Sequence, residues 1–333
     1  MTEHSKINRS SAQRAHKSAS LFERADAAFG LDRMGTNAVP KNLPGAKPAK
    51  QQPEPVQAAA PQPAQAAASA QPDAPTQAPH QPEPPKVQPA VQLSGPRMVV
   101  ERDFLREAGL IVPEDPVTGL LEEFRIVKRE LLADARTSRS DAARRVLVCS
   151  PHQGEGKTYC AMNLAIALAA ERDIEVVLVD ADVLNPSVTR RLGVETGPGL
   201  MDALADKSLR PEALVSPTDI PNLFVMPAGT SSARDAELLT SARTGEVLDR
   251  LTRGAPNRIL IFDTPPALAA SPAAELAAHV GQALLVVRAD ETSRAALDDA
   301  RQLLSACPDI KLLLNAAQFS PSGRRFGDYG ERE

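Results

Sequence analysis

Residues 145–170 read RVLVCSPHQGEGKTYCAMNLAIALAA, and this stretch decides the fold. The β-branched, apolar run Val146–Cys149 reads as a buried strand, and the segment from Lys157 onward reads as a helix. Between them lies Ser150–Thr158, SPHQGEGKT. Gly154 and Gly156 let the backbone curl so that successive amide hydrogens point inward at phosphate oxygens, and the following helix adds its positive N-terminal end. Glu155 and Tyr159 complete the candidate cradle. In such a loop the lysine, here Lys157, reaches the β- and γ-phosphates, and the hydroxyl of Thr158 holds Mg²⁺. ATP with Mg²⁺ is the expected ligand, although Pro151 stands where the opening glycine of the formal motif would fall.

Working outward, Val176–Asp182 (VVLVDAD) is an apolar strand that delivers Asp180 and Asp182 to its carboxyl end. Two carboxylates two positions apart can place one near the Mg²⁺ shell and leave the other toward an incoming nucleophile. A third apolar strand, RILIFDTPPAL, ends at Asp263 and is broken by Pro265 and Pro266, which forces a sharp exit where a metal-orienting carboxylate is needed. Thr158, Asp180 and Asp263 are the expected metal-side residues; Lys157, Asp180, Asp182 and Asp263 are the expected catalytic ones. The strands expected are 146–149, 175–179, 223–226, 259–262, 283–287 and 312–314, alternating with helical patterns. Their near-continuous apolar character suits an α/β fold: a mainly parallel sheet covered by helices on both faces, with ligands at the carboxyl ends of the strands.

Composition divides the 333-residue chain into four zones. Residues 1–37 are polar, with Leu21, Phe22, Ala25, Ala28 and Phe29 at the spacing of one short amphipathic helix. Residues 38–96 are rich in Pro, Ala and Gln; 15 of the 30 prolines fall between Pro40 and Pro96, a stretch without an aromatic residue, so it is expected to be a disordered linker. Residues 97–318 form the expected folded domain, and 319–333 a flexible tail. A net charge of -4 supplies no general field for a polyphosphate, which argues against nucleic acid as the main partner. Cys149, Cys160 and Cys307 are odd in number and lack metal-type spacing, as expected of reduced thiols. No run approaches the length of a membrane span and the N-terminus has no secretory core, so a cytoplasmic protein is expected.

The loop SxxxGxGKT, the Asp-x-Asp strand and the DTPP strand together resemble the bacterial tyrosine kinases, or BY-kinases, of polysaccharide export, built on the P-loop fold of the MinD/ParA ATPases. Further resemblance lies in NLAIALA after the loop, DVLNPSV from Asp182, MPAG followed by AELLTS at Ala236–Ser241, and LLVVRADET ending at Thr292. The segment RDFLREAGLIVPEDPVTGLLEEFRIVKRELLADA is similar to the helical lead-in of autokinases from exosortase (XrtA)-associated exopolysaccharide loci. The resemblance implies ATP-dependent phosphorylation of tyrosine in a C-terminal tail, in trans, with Asp182 drawing the phenolic proton. It also implies a ring-forming homo-oligomer through a Glu-x-x-Arg-x-x-Arg helix, here Glu122, Arg125 and Lys128, whose spacing of three suggests a shared helical face. A membrane polysaccharide co-polymerase, or chain-length determinant protein, is the implied activator, recruiting the chain to the inner face of the plasma membrane. Asn315 is the implied base contact.

This sequence departs from the family pattern in three places. It has only two tyrosines, Tyr159 on the P-loop helix and Tyr329 in the tail, which leaves Tyr329 as the expected acceptor. Leu184 stands where many members carry an arginine, and Lys128 replaces an arginine of the ring motif; His152 occupies the position of the signature lysine of the MinD/ParA ATPases, and the absence of that lysine favours the kinase reading. A regulatory ATPase of the MinD/ParA type, or an ATP-binding scaffold of the same export machinery, is the competing reading.

Overall fold

Strands buried on both faces must be almost continuously apolar, as the central runs 146–149, 176–179, 259–262 and 283–287 are, whereas Leu312 and Leu314 of the last run lie exposed at the sheet edge. A computed structural model describes residues 89–138 and 140–317. The segment around Leu21–Phe29, the arm as far as residue 88, and the tail with Tyr329 lie outside the described residues. The strands are β1 (Arg145–Cys149), β2 (Glu175–Asp180), β3 (Ser216–Pro217), β4 (Leu223–Met226), β5 (Arg258–Asp263), β6 (Gln282–Arg288) and β7 (Ile310–Asn315). They form one sheet in the order β3-β4-β2-β5-β1-β6-β7. Every pairing is parallel except β3 with β4. All six expected strands are present. The antiparallel β3 was not expected, because two residues containing a proline carry no strand periodicity.

Side chains alternate across the sheet into two apolar layers. Val146, Val148, Leu178, Ile261 and Val286 point to one layer, and Leu147, Val177, Leu260, Phe262 and Leu285 to the other. The first layer is closed by α1 (Arg102–Glu107), α2 (Gly119–Thr137), α3 (Lys157–Ala169) and α4 (Val188–Leu192). On the second lie α5 (Leu200–Ala205), α6 (Asp235–Thr240), α7 (Ala242–Thr252), α8 (Pro272–Ala277) and α9 (Arg294–Leu303). Helix α3 is apolar nearly all round because it is wrapped by sheet on one side and α2 on the other. Cys149, Cys160 and Cys307 are free and buried, and burial pushes the first two thiols up to about 11 and about 12.

Three expectations need correction. The lead-in is two helices, not one: the chain turns through Gly109 in the left-handed region (φ 66°) and passes Pro113 and Pro116 before Thr118 caps α2. The folded domain also begins earlier than residue 97. Ser94 and Gly95 donate to the carbonyls of Glu212 and Val215 at 2.9 Å each, and the Arg258 guanidinium donates to Val91 O at 2.9 Å. A side chain at Gly95 would meet the Val215 carbonyl at 2.5 Å, so this strap fits only with glycine there.

The third concerns Lys128. Steps of three residues drift by about 60° each on a helix of 3.6 residues per turn, so Glu122, Arg125 and Lys128 spiral around α2. Glu122 and Arg125 pair with each other on a partly exposed face. Lys128 is buried at 7% exposure, donating to Ala167 O at 2.9 Å in the last turn of α3 and pairing with Glu171 at 2.7 Å. A cation at a helix C-terminus satisfies a carbonyl with no intrahelical partner and complements the dipole. Asn163 makes a second tie: its Oδ1 accepts from Ile111 N at 2.8 Å and its Nδ2 donates to Tyr159 O. Lys128 therefore joins the lead-in to the P-loop helix within one chain. Replacing it with alanine is expected to destabilise the chain by about 2 kcal/mol, which corresponds to roughly 4–8 °C in a melting experiment, while Lys128→Met, which keeps the apolar stem, is expected to cost less.

Candidate nucleotide site

The loop between β1 and α3 is shaped by two glycines in the left-handed region, Gly154 (φ 86°) and Gly156 (φ 98°). Gly156 is the N-cap of α3, so the amides of Lys157, Thr158 and Tyr159 form the first helical turn, where no intrahelical acceptor exists. A side chain on Gly156 would collide with the Asn315 amide. These features make an anion cradle of the kind the sequence implies.

Several contacts holding the cradle were not legible beforehand. Glu155 is buried at 5% exposure; its Oε2 accepts from His152 N at 2.8 Å and its Oε1 from the Thr292 hydroxyl at 2.5 Å. Arg288 donates to Gly154 O at 3.3 Å, and Thr292 Oγ1 in turn accepts from Arg288 N at 2.8 Å. Asn315, at the end of β7, donates to Glu155 O at 2.8 Å. The side chains of Glu155 and Asn315 thus brace the loop. Tyr159 contributes to the cradle only through its backbone, since its half-buried ring turns to the lead-in and its hydroxyl donates to Gly109 O at 3.0 Å. His152 is exposed.

The three aspartates converge at the carboxyl ends of neighbouring strands, where Asp180 pairs in register with Asp263. Their surroundings differ sharply. Asp180 accepts from the amides of Asp182 (3.2 Å), Ser187 (2.9 Å) and Val188 (3.0 Å), and so pins the loop that follows β2. Burial nevertheless pushes its carboxyl up to about 6, against the stabilising amides. With both oxygens already accepting from the backbone, Asp180 positions the loop first, a role its expected place in a metal shell did not anticipate. Asp182 pairs with Lys157 Nζ at 2.8 Å, and its other oxygen accepts from Asn185 N. On the same pinned turn Leu184 is 66% exposed.

Asp263 is fully buried and neither oxygen has a hydrogen-bond partner. Burial pushes its carboxyl up to about 7; the nearby Lys157 charge and Thr158 hydroxyl oppose this only in part. An unpaired buried carboxylate beside a threonine hydroxyl is a donor set for a hard cation such as Mg²⁺, with phosphate oxygens supplying further ligands. No cluster of three or more His, Cys, Asp or Glu that could hold a metal occurs among the described residues.

A parallel sheet that presents a glycine-shaped loop and a helix N-terminus beside two carboxylate-tipped strands defines a P-loop nucleotide-binding protein. The family model for ParA, described as NUBPL iron-transfer P-loop NTPase, matches residues 141–313. The chain belongs to the ParA-type P-loop NTPases and, among them, to the bacterial tyrosine-protein kinase family. It is 30% identical over 190 residues to the tyrosine-protein kinase YwqD of Bacillus subtilis, covering 56% of this chain and 78% of YwqD. It is 31% identical over 224 residues to EpsB of Ralstonia nicotianae, provisionally named a tyrosine-protein kinase, covering 66% of this chain but only 28% of EpsB. The kinase domain of Escherichia coli tyrosine kinase ETK shares the fold, with a TM-score of 0.51 at 20% identity over 66% of this chain and 97% of that one.

The raised affinity of Asp263 for a proton sets a pH dependence. The folded carboxyl is protonated below about 7, whereas the unfolded one stays charged down to about 4. The ligand-free fold therefore gains stability as pH falls from about 7 toward about 4, and loses it as pH rises through about 7. Asp263→Asn is expected to raise the ligand-free melting temperature at pH 8 by at least about 2 °C, to flatten its change between pH 8 and 6, and to remove the extra stabilisation by Mg²⁺ with nucleotide.

Proposed function

We propose that this protein is an ATP- and Mg²⁺-dependent protein-tyrosine kinase that phosphorylates Tyr329 in the tail of a neighbouring copy and regulates exopolysaccharide biosynthesis and export. The observation that carries the proposal is the cluster of Lys157 against Asp182 at 2.8 Å with the orphaned Asp263 beside Thr158. A simple nucleotide-binding site has no need of a second buried carboxylate facing the lysine, whereas transfer to a phenol needs a proton acceptor.

In this reading the first-turn amides of α3 hold the phosphates and Lys157 balances charge on the β- and γ-phosphates. Thr158 and Asp263 would hold Mg²⁺, which when bound neutralises phosphate charge and orients the γ-phosphoryl group. The phenolic oxygen forms a bond to the γ-phosphorus as the bond to the bridging oxygen breaks, ADP departs, and the phenolic proton passes to Asp182. Catalysis of this type is positioning and charge stabilisation, which fits a loop braced by Glu155, Thr292, Arg288 and Asn315. The hydroxyl of Tyr159 is engaged with Gly109 O, which supports Tyr329 as acceptor.

The family resemblance supports a membrane co-polymerase as activator and a ring of copies. Among the described residues no helix is long and apolar enough to cross a membrane. With Lys128 turned inward, the Glu122–Arg125 pair is what remains of the ring motif for a neighbour to meet. A regulatory ATPase is favoured instead by the ParA match together with the two-tyrosine composition.

Intact-mass and peptide mass spectrometry after incubation with Mg²⁺ and ATP separates the two readings. One phosphate on Tyr329, absent from Lys157→Ala and Tyr329→Phe, is the expected result. Nucleotide hydrolysis without phosphotyrosine, even with the partner's cytosolic segment present, would leave the regulatory ATPase.

A further inference from the structure

Lys157 has one ammonium and two claims on it. It occupies the first position of α3, so its side chain leaves from the turn whose amides form the cradle. Yet it pairs with Asp182 Oδ2 at 2.8 Å, and the two side chains are only 13% and 4% exposed, so this contact is neither screened nor casual. Asp182 is not free to travel with the lysine. Its Oδ1 accepts from Asn185 N, its own amide donates to Asp180, and Asp180 also ties Ser187 and Val188. The loop on both sides of Asp182 is thus fixed, and Lys157 is the movable member of the pair.

We propose that Asp182 and the nucleotide phosphates compete for Lys157, so that Asp182 stays masked until the phosphates draw the lysine away and nucleotide entry itself exposes the base. An oxygen already holding an ammonium is a poor acceptor for a phenolic proton, and the mask keeps an acceptor tyrosine from engaging Asp182 before ATP is in place. The competition follows from the geometry alone; the consequence for the acceptor, an obligatory order with nucleotide first, rests on the kinase reading above.

The experiment is a double-mutant cycle on nucleotide affinity, measured by calorimetry on the full chain with Mg²⁺ and a non-hydrolysable ATP analogue. Asp182→Asn removes the competitor with little change of shape and is expected to tighten binding about tenfold. Removing a negative charge near a polyphosphate tightens binding by itself, so the same change is made in a Lys157→Met background. There the gain is expected to shrink to about twofold or less, because no lysine is left to release. Asp182→Glu, which keeps a competitor, is expected to show little gain, and cooperative melting of each variant checks that it folds. Equal tightening in both backgrounds, or none in the first, would overturn the competition. For the order, a peptide with phenylalanine in place of tyrosine is expected to inhibit peptide phosphorylation uncompetitively with respect to ATP; noncompetitive inhibition would overturn it. If no tyrosine is ever phosphorylated, the kinase reading falls while the affinity cycle still decides the competition.

Discussion

One ammonium among three buried carboxylates is the constraint on which the site depends. Asp180, Asp182 and Asp263 are each under 4% exposed, and taking a carboxylate out of water costs several kcal/mol unless something compensates. The fold compensates each differently. Backbone amides serve Asp180, Lys157 serves Asp182, and nothing in the chain directly bonds Asp263. Strands packed on both faces tolerate that deficit because their apolar anchoring does not depend on the tips. The result is a cluster of carboxylates at the strand ends whose negative charge the chain itself compensates only in part.

The helix carrying the cradle is gripped along its length. At its N-terminus, contacts from the β6–α9 segment and the end of β7 fix Gly154 and Glu155. On its flank and at its C-terminus Asn163 and Lys128 bind it to the lead-in. The outer helix that carries the Glu122–Arg125 pair therefore packs on the same helix whose N-terminus forms the cradle.

Much of this was readable from the chain because it is local. The P-loop glycines, lysine and threonine lie within a few residues, and strand-ending aspartates announce themselves as the first charges after apolar runs. The braces were hidden by distance in sequence: Glu155 meets Thr292 across 137 positions and Asn315 across 160. Lys128 misled because charge on a helix normally marks the solvated face, and its inward turn depends on a carbonyl at the far end of another helix. By composition residues 89–96 belong with the proline-rich arm, whereas the backbone at Val91, Ser94 and Gly95 is held by Arg258 and by the carbonyls of Glu212 and Val215. Asn315, implied by the resemblance as a base contact, also braces the loop by donating to Glu155 O.

The three cysteines give the domain a built-in reporter. Thiolate is the reactive form, and burial holds Cys149 and Cys160 far above neutral pH in their proton affinity. Cys149 lies at the end of the strand beneath the phosphate loop, Cys160 in the first turns of α3, and Cys307 beside the edge strand. Alkylation of each is therefore gated by local opening rather than by intrinsic chemistry, and the three rates, read separately, would rank which part of the domain breathes first.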